Sequence, residues 1–264
     1  MASSIRKSGL AEISPEWTEF AKHVQIPPLL GDPVELRQMK FPRDDSPPVG
    51  FSIKQIPVPG YQGWSNQARI YTSNVQHTAR AVIIYVHGGG WTVGDLDTED
   101  AVCRTMCKSS GAVVTAVLAQ RARETKQVSF CGQILRIPLV VHPKAQPAEL
   151  DFSSYQENAD APILPSASVT QFLGYYNAPP EDTRVSPLLA SDLSGLPRTY
   201  IQIAGADPLR DDGFAYAEKL QQAGVPVKVN VYPGLPHGFM MLPLATSHRS
   251  DEDLIKAIEW MVKE

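Results

Sequence analysis

The order of apolar and polar positions predicts strands alternating with helices along most of the chain. Ala81-Val82-Ile83-Ile84-Tyr85-Val86 is apolar on both faces. Such a run suits a strand buried on both sides, as in a parallel sheet covered by helices. Gln133 to Val141 reads as another strand, with Pro138 better suited to its end than its middle. Arg198 to Ala204 is a third, and Val227, Val229 and Val231 alternate with Lys228 and Asn230 in a fourth. Ser52 to Val58 and Gln67 to Thr72 alternate as two further strands, joined through Pro59-Gly60 and Gly63. Between these runs the spacing turns helical. Asp97 to Lys108 is expected to turn Ala101, Val102, Thr105 and Met106 inward. A helix from Ser168 to Tyr176 follows, then one from Asp211 to Ala223, with Phe214, Ala217 and Leu220 on one face and Gly224 ending it. Ser250 is expected to cap a last helix that buries Leu254, Ala257, Ile258 and Met261. At the other end, Ser14-Pro15 opens a helix with Trp17, Phe20, Ala21 and Val24 at helical spacing, and Asp32 to Leu36 starts a short second one. Strands alternating with helices predict an α/β fold with a doubly wound, mostly parallel sheet.

Two stretches depart from that alternation. Residues 144–189 form a long segment rich in Pro, Ser and Asp, the kind of insertion that acts as a lid. Gly111-Ala112-Val113-Val114 begins a strand that runs straight into Thr115 to Arg123, whose composition is helical, with no turn residue between.

Composition narrows the class without fixing the chemistry. The 264 residues suffice for one large α/β domain, and 43% hydrophobic and 20% charged residues are ordinary for a globular protein. A net charge of -4, with basic residues scattered, argues against a nucleic-acid partner. Cys103, Cys107 and Cys131 are too few and of odd number for a disulfide framework; packing is the better reading of the first two. Residues 1–20 lack the apolar core of a signal peptide, and no apolar run reaches membrane-spanning length. A soluble, cytoplasmic protein with no membrane span is expected.

The candidate chemistry gathers where strands end. Three glycines follow the Ala81 to Val86 run, in His87-Gly88-Gly89-Gly90-Trp91. Their amides, with no side chains in the way, suit an oxyanion hole; the plainer reading is a glycine-rich connection. The His-Gly-Gly-Gly type is that of lipases and esterases. Asp207 follows one strand and His237 the next, the place where sites form in an open α/β sheet. A carboxylate there holds an imidazole in one tautomer, so that it serves as base and then acid. Alone, Asp207 reads as a turn residue before Pro208, and His237 as a loop histidine packed beside Phe239. Asp211 is the second candidate acid, or a helix cap. Trp91 and Phe239 suit an apolar substrate pocket or the core. His23, His77, His142 and His248 have no comparable setting.

With His87-Gly88-Gly89-Gly90-Trp91, Asp207-Pro208-Leu209-Arg210-Asp211 and His237-Gly238-Phe239 in place, the chain resembles the hormone-sensitive-lipase-like branch of the α/β-hydrolase family, including its fungal and microbial carboxylesterases. The resemblance implies hydrolysis of a small-molecule carboxylic ester through an acyl-enzyme, with no metal or organic cofactor. By motif position it makes Asp207 the triad acid, His237 the base and Gly88 to Gly90 the oxyanion donors. It makes residues 1–50 and 144–189 the cap of a single domain spanning 1–264.

One part of the family pattern is missing. The family presents its serine on a strained Gly-Asp-Ser-Ala-Gly elbow between a strand and a helix. No serine of this chain lies in Gly-x-Ser-x-Gly. Ser110 and Ser129 precede or enter strands, and Thr115 follows bulky Val113 and Val114. The 114/115 junction reads as the point where on the order of fifty residues are lost in frame, one strand–helix–strand unit with its loops. A central strand would then be lacking, its neighbours left with unpaired backbone groups and the fold of low stability. Three readings follow: an esterase in an incomplete form, a non-catalytic small-molecule binder on a hydrolase scaffold, and an enzyme using water activated by His237.

Overall fold

The computed structural model describes residues 9–39, 45–59, 61–74, 82–109 and 129–262. The chain opens with α1 (Pro15–Ala21), capped by Ser14 through a 3.1 Å bond from the Trp17 amide, and α2 (Pro33–Leu36), capped by Asp32. A hairpin of β1 (Phe51–Pro59) and β2 (Ser65–Ser73) pairs antiparallel from Phe51↔Ser73 to Pro59↔Ser65. Then come α3 (Asp100–Ser109), β3 (Gly132–Arg136), α4 (Ser154–Glu157), α5 (Ser166–Tyr176), β4 (Arg198–Ala206), α6 (Arg210–Gln222), β5 (Val227–Pro236) and α7 (Ala245–Val262).

The sheet that carries the site is β3-β4-β5, parallel throughout. Its middle strand is buried from Thr199 to Ala206, as the two-sided apolar pattern requires. Helices cover both faces. On one, Leu135, Ile201 and Ile203 pack with Tyr216, Ala217 and Leu220 of α6. On the other, Ile134 and Tyr200 pack with Val102 and Met106 of α3 and Leu254, Ala257, Ile258 and Met261 of α7. No helix among the described residues is long and apolar enough to cross a membrane.

The amino-terminal arm binds near the carboxyl end of β5. Ser14 donates its amide to the Gly234 carbonyl at 2.9 Å, and Gly234 donates to the Leu10 carbonyl at 2.8 Å. The approach is so close that a Cβ at Gly234 would lie 2.2 Å from the Glu12 carbonyl oxygen. Glu16 adds bonds from the Thr246 amide and hydroxyl at 3.1 and 2.6 Å.

Several sequence expectations need correction. Residues 82–88 form no strand, and Val82 is 78%, Ile84 46% and Val86 52% exposed. Ile83 and Tyr85 do pack on the α3–α7 cluster, so one face is buried as the pattern says. A strand also needs partner backbone, and among the described residues 82–88 have none. The strand expected through Val141 stops at Arg136, because Ile137 takes a φ of 45° and Pro138 has no amide to offer a ladder. The last helix starts at Ala245, and Ser250 is no cap: its buried hydroxyl bonds the Ser247 carbonyl at 2.8 Å inside the helix. Ala101 faces solvent while Val102 and Met106 are buried. Val24 lies beyond the end of α1, exposed. The 114/115 junction, the residues around it and His77 lie outside the described residues.

Candidate active site

Asp207 and His237 follow directly on β4 and β5. The parallel pairing of these strands brings the two side chains together. His237 Nδ1 lies 2.8 Å from Asp207 Oδ2. An ionised carboxylate only accepts, so this bond places the imidazole hydrogen on Nδ1 and leaves Nε2 to exchange a proton. The other carboxylate oxygen, Oδ1, accepts from the Leu209 amide at 2.9 Å, a turn contact that fixes the acid's orientation. Asp207 is 1% exposed, and the His237 side chain keeps 22%. Asp207 is therefore shielded while His237 reaches an open space.

A second set of contacts holds the acid loop from behind. Asn158, just past α4, donates from Nδ2 to the Asp207 carbonyl at 3.1 Å and the Ser154 carbonyl at 3.0 Å. Ser154 donates its hydroxyl to the Pro208 carbonyl at 2.6 Å and its amide to Asp211 Oδ2 at 2.8 Å. Asp211, the alternative acid, is wholly buried and paired with Arg210 at 3.0 Å, which also reaches Glu157 at 2.7 Å. It anchors the start of α6 to α4 and does not meet His237.

Asp212 is a third buried carboxyl here. Its Oδ1 accepts from the Val140 and Val141 amides at 3.0 and 3.2 Å. Its Oδ2 and the nearby Tyr155 hydroxyl have no partner at hydrogen-bonding geometry. Burial pushes Asp212 up to about 8, with the neighbouring Asp207 charge adding to the effect. Burial likewise pushes the Tyr155 phenol up, with Asp212 adding to it.

The glycine loop turns at the end of the 82–88 segment. Gly89, Gly90 and Trp91 all take positive φ, of 123°, 55° and 58°. For the two glycines this is cheap; for tryptophan it costs of order 1–2 kcal/mol. The loop is held by bonds from the Thr92 and Val93 amides to the Gly89 carbonyl at 3.0 and 2.9 Å. His87 Nδ1 lies 2.7 Å from the Gly88 carbonyl oxygen and closes the loop's base. A Cβ on Gly90 would meet Phe172 of α5 at 2.5 Å. Trp91 stacks on Tyr176 of the same helix, with centroids 4.2 Å apart and planes 4° from parallel. The Gly88 amide supports the Glu99 carboxylate, whereas those of Gly89 and Gly90 donate to no acceptor among the described residues.

Glu99 belongs to a polar group in the same wall. Burial pushes its carboxyl up, against the lowering effect of Arg136 and of the Tyr85 hydroxyl, which donates at 3.0 Å. Arg136 in turn donates to Gln202 at 2.7 Å and Asp251 at 3.2 Å.

The glycine loop, Trp91 and His237 open onto one cavity of about 910 Å³. Phe239 does not line it. The ring is wholly buried, 5.0 Å from the Tyr232 ring, so the structure corrects the pocket reading to the core one. Sequence reasoning missed Ser154, Asn158, Asp212 and Glu99. The first two stand in the long insertion, where no periodicity marks them. Asp212 stands beside the two aspartates already weighed and carries no signal of its own.

Residues 83–117 and 108–241 match the model of a family described as alpha/beta hydrolase fold. The chain is 30% identical over 272 aligned positions to the FAD-linked oxidoreductase pytB of Aspergillus terreus, covering 83% of this chain but only 33% of that protein. It is 31% identical over 269 positions to the carboxylesterase NlhH of Mycobacterium tuberculosis, covering 79% of this chain and 81% of that one. Among solved structures, vibralactone cyclase superposes with a TM-score of 0.83 over 96% of both chains, at 21% identity, a likeness of fold. The aligned lengths carry more. In the NlhH alignment 79% of 264 residues is about 209, so about 60 of the 269 positions face no residue of this chain. For pytB, 83% is about 219 residues, leaving about 53 of 272 positions unmatched.

Proposed function

The chain belongs to the α/β-hydrolase fold family, in the branch resembling hormone-sensitive lipase, and from that premise we propose that its site is the acid, base and oxyanion part of a carboxylesterase centre without its nucleophile-bearing unit. The observation that carries the reading is the 2.8 Å Asp207–His237 contact at the ends of adjacent parallel strands, facing the same cavity as the Gly89–Gly90 loop. The chemistry follows from that geometry. A small-molecule ester in the cavity presents its carbonyl oxygen to the Gly89 and Gly90 amides, which favour the developing charge. His237 Nε2 takes a proton from an attacking hydroxyl and returns it to the leaving alcohol, while Asp207 stabilises the imidazolium. No cofactor enters these steps. No serine lines the cavity among the described residues. The total of about 53 to 60 unmatched positions in the two alignments is of the size of one strand–helix–strand unit, which supports the loss of such a unit.

The test is hydrolysis of a short-chain p-nitrophenyl ester by the purified chain, with His237→Ala as control. The expected result is no turnover above the control. Inserting a strand–helix–strand unit with Gly-x-Ser-x-Gly between Val114 and Thr115 should then restore turnover that depends on His237. Turnover by the unaltered chain that His237→Ala abolishes would overturn the missing-nucleophile reading. An inserted unit that folds but stays inactive would overturn the ester-site reading.

A further inference from the structure

β4 and β5 change register just before they reach the site. From Thr199↔Val227 to Ala204↔Tyr232 the β5 partner stands 28 positions further along the chain, and at Ala206↔Pro236 it stands 30 further. Two extra residues of β5 are taken up between Tyr232 and Pro236, as in a bulge that re-aims a side chain. The slip sets Asp207 and His237, each the next residue after the last pair, level with one another. Had the first register continued, Asp207 would stand level with Leu235. His237 would then lie two residues, or about 7 Å, further along the strand direction. A 2.8 Å contact does not survive that displacement.

The amino-terminal arm grips the residues that take up the slip. Gly234, at a φ of 66°, exchanges both backbone groups with it: its amide donates to the Leu10 carbonyl at 2.8 Å, and its carbonyl accepts from the Ser14 amide at 2.9 Å. On β4, a Cβ at Gly205 would lie 2.3 Å from the Leu10 carbonyl oxygen, so the arm lies against both strands where their register changes. Leu235, inside the slip, is 1% exposed and shares an apolar cluster with Trp17 of α1 and with Phe239. Past His237, the Glu16 carboxylate accepts from the Thr246 amide and hydroxyl. The chain is thus held on both sides of His237 by one segment of the arm.

We propose that residues 10–16 position the Asp207–His237 pair by holding the two-residue slip in β5, and that Gly234 and Glu16 are the positioning residues. Gly234 admits the arm's backbone, and Glu16 ties the arm to the segment beyond His237. The inference concerns the geometry of the pair and needs no nucleophile, so it stands or falls apart from the ester-site reading.

The test is nitrogen NMR of the whole chain with isotope-labelled histidine, read where the imidazole is neutral, with His237→Gln to identify the signal. His237 of the parent should be the Nδ1–H tautomer, which the bond to Asp207 selects. Gly234→Ala puts a Cβ 2.2 Å from the Glu12 carbonyl oxygen. It should move the tautomer ratio at least about tenfold towards Nε2–H, the effect of losing one charge-assisted hydrogen bond. Gly224→Ala carries comparable backbone strain, at a φ of 78° with nothing within 4 Å of its Cβ, and should leave the ratio unchanged. Glu16→Ala should shift the ratio in the same direction as Gly234→Ala. Glu16→Gln keeps an oxygen for the Thr246 amide and should hold the parent ratio. A parent-like ratio in folded Gly234→Ala, or an equal shift in Gly224→Ala, overturns the proposal. If Gly234→Ala does not fold, Glu16→Ala decides: a parent-like ratio there overturns the proposal as well.

Discussion

Replacing Asp212 by asparagine should stabilise this protein, and increasingly so as pH rises. The folded chain holds the Asp212 proton up to about pH 8, against an ordinary value of 3.8. Between those values the folded state binds a proton that the unfolded state has released. Stability therefore falls with rising pH over that window, by about 1.4 kcal/mol per unit. Over the roughly four units from 3.8 to about 8 the limit is about 6 kcal/mol, and relaxation around the buried group lowers it. Asparagine keeps an oxygen for the Val140 and Val141 amides and puts an amide hydrogen where Oδ2 lacks a partner beside Tyr155. A gain of 2 kcal/mol corresponds to about 4–8 °C in a chain of this size. The assay is thermal unfolding of both proteins from pH 4.5 to pH 8. The two should melt close together at the acid end, with Asp212→Asn ahead by several degrees at pH 8. A variant that melts at or below the parent at pH 8, or a gap that does not change with pH, refutes the reasoning.

Other perturbations have directions set by the same contacts. Gly89→Ala puts a Cβ 1.8 Å from the Val93 carbonyl oxygen at a φ of 123°, whereas a Cβ at Gly88 meets nothing within 4 Å. The first should lower the melting temperature by several degrees and the second should leave it near the parent; equal effects would contradict the loop geometry. Phe239→Ala empties a wholly buried site and should cost about 3–5 kcal/mol in urea unfolding. A cost below about 1 kcal/mol would return Phe239 to the pocket. Arg210→Met leaves Asp211 charged and buried, at a cost of about 3–5 kcal/mol near neutral pH. Wild-type-like unfolding of that variant would show that the pair is not needed to hold α4 to α6.

The meeting of Asp207 and His237 was legible in the sequence because each follows a strand whose pattern is unambiguous. Alternating Val227, Val229 and Val231 fix where β5 runs, and the apolar run before Asp207 fixes β4. Parallel neighbours then bring their ends together. Hydrophobic pattern reads burial, however, and burial is not pairing. Ala81 to Val86 has the composition of a central strand, but a strand is a property of two segments, and its partner is not among the described residues. Phe239 failed for a related reason. Pattern places it just after a catalytic-type histidine without saying to which side of the turn its ring goes, and the ring goes to Tyr232. Ser250 looked like a cap because it precedes acidic residues, yet the helix had already begun at Ala245, where the chain leaves Leu244 buried beneath it. Contacts such as Asn158 to the Asp207 carbonyl join positions 49 apart through an irregular segment, and no local rule finds them.

The arm bound to Gly234 also sets an order of events during synthesis. Leu10 and Ser14 leave the ribosome about 220 residues ahead of their hydrogen-bond partner. At about 5–20 residues per second that is a wait of roughly 11 to 44 seconds. Over that interval Trp17, which ends 6% exposed, has no β5 to cover it. The strand that leads into His237 is also the one that receives the arm, so the site and the amino-terminal arm are completed in the same late step of the chain's birth.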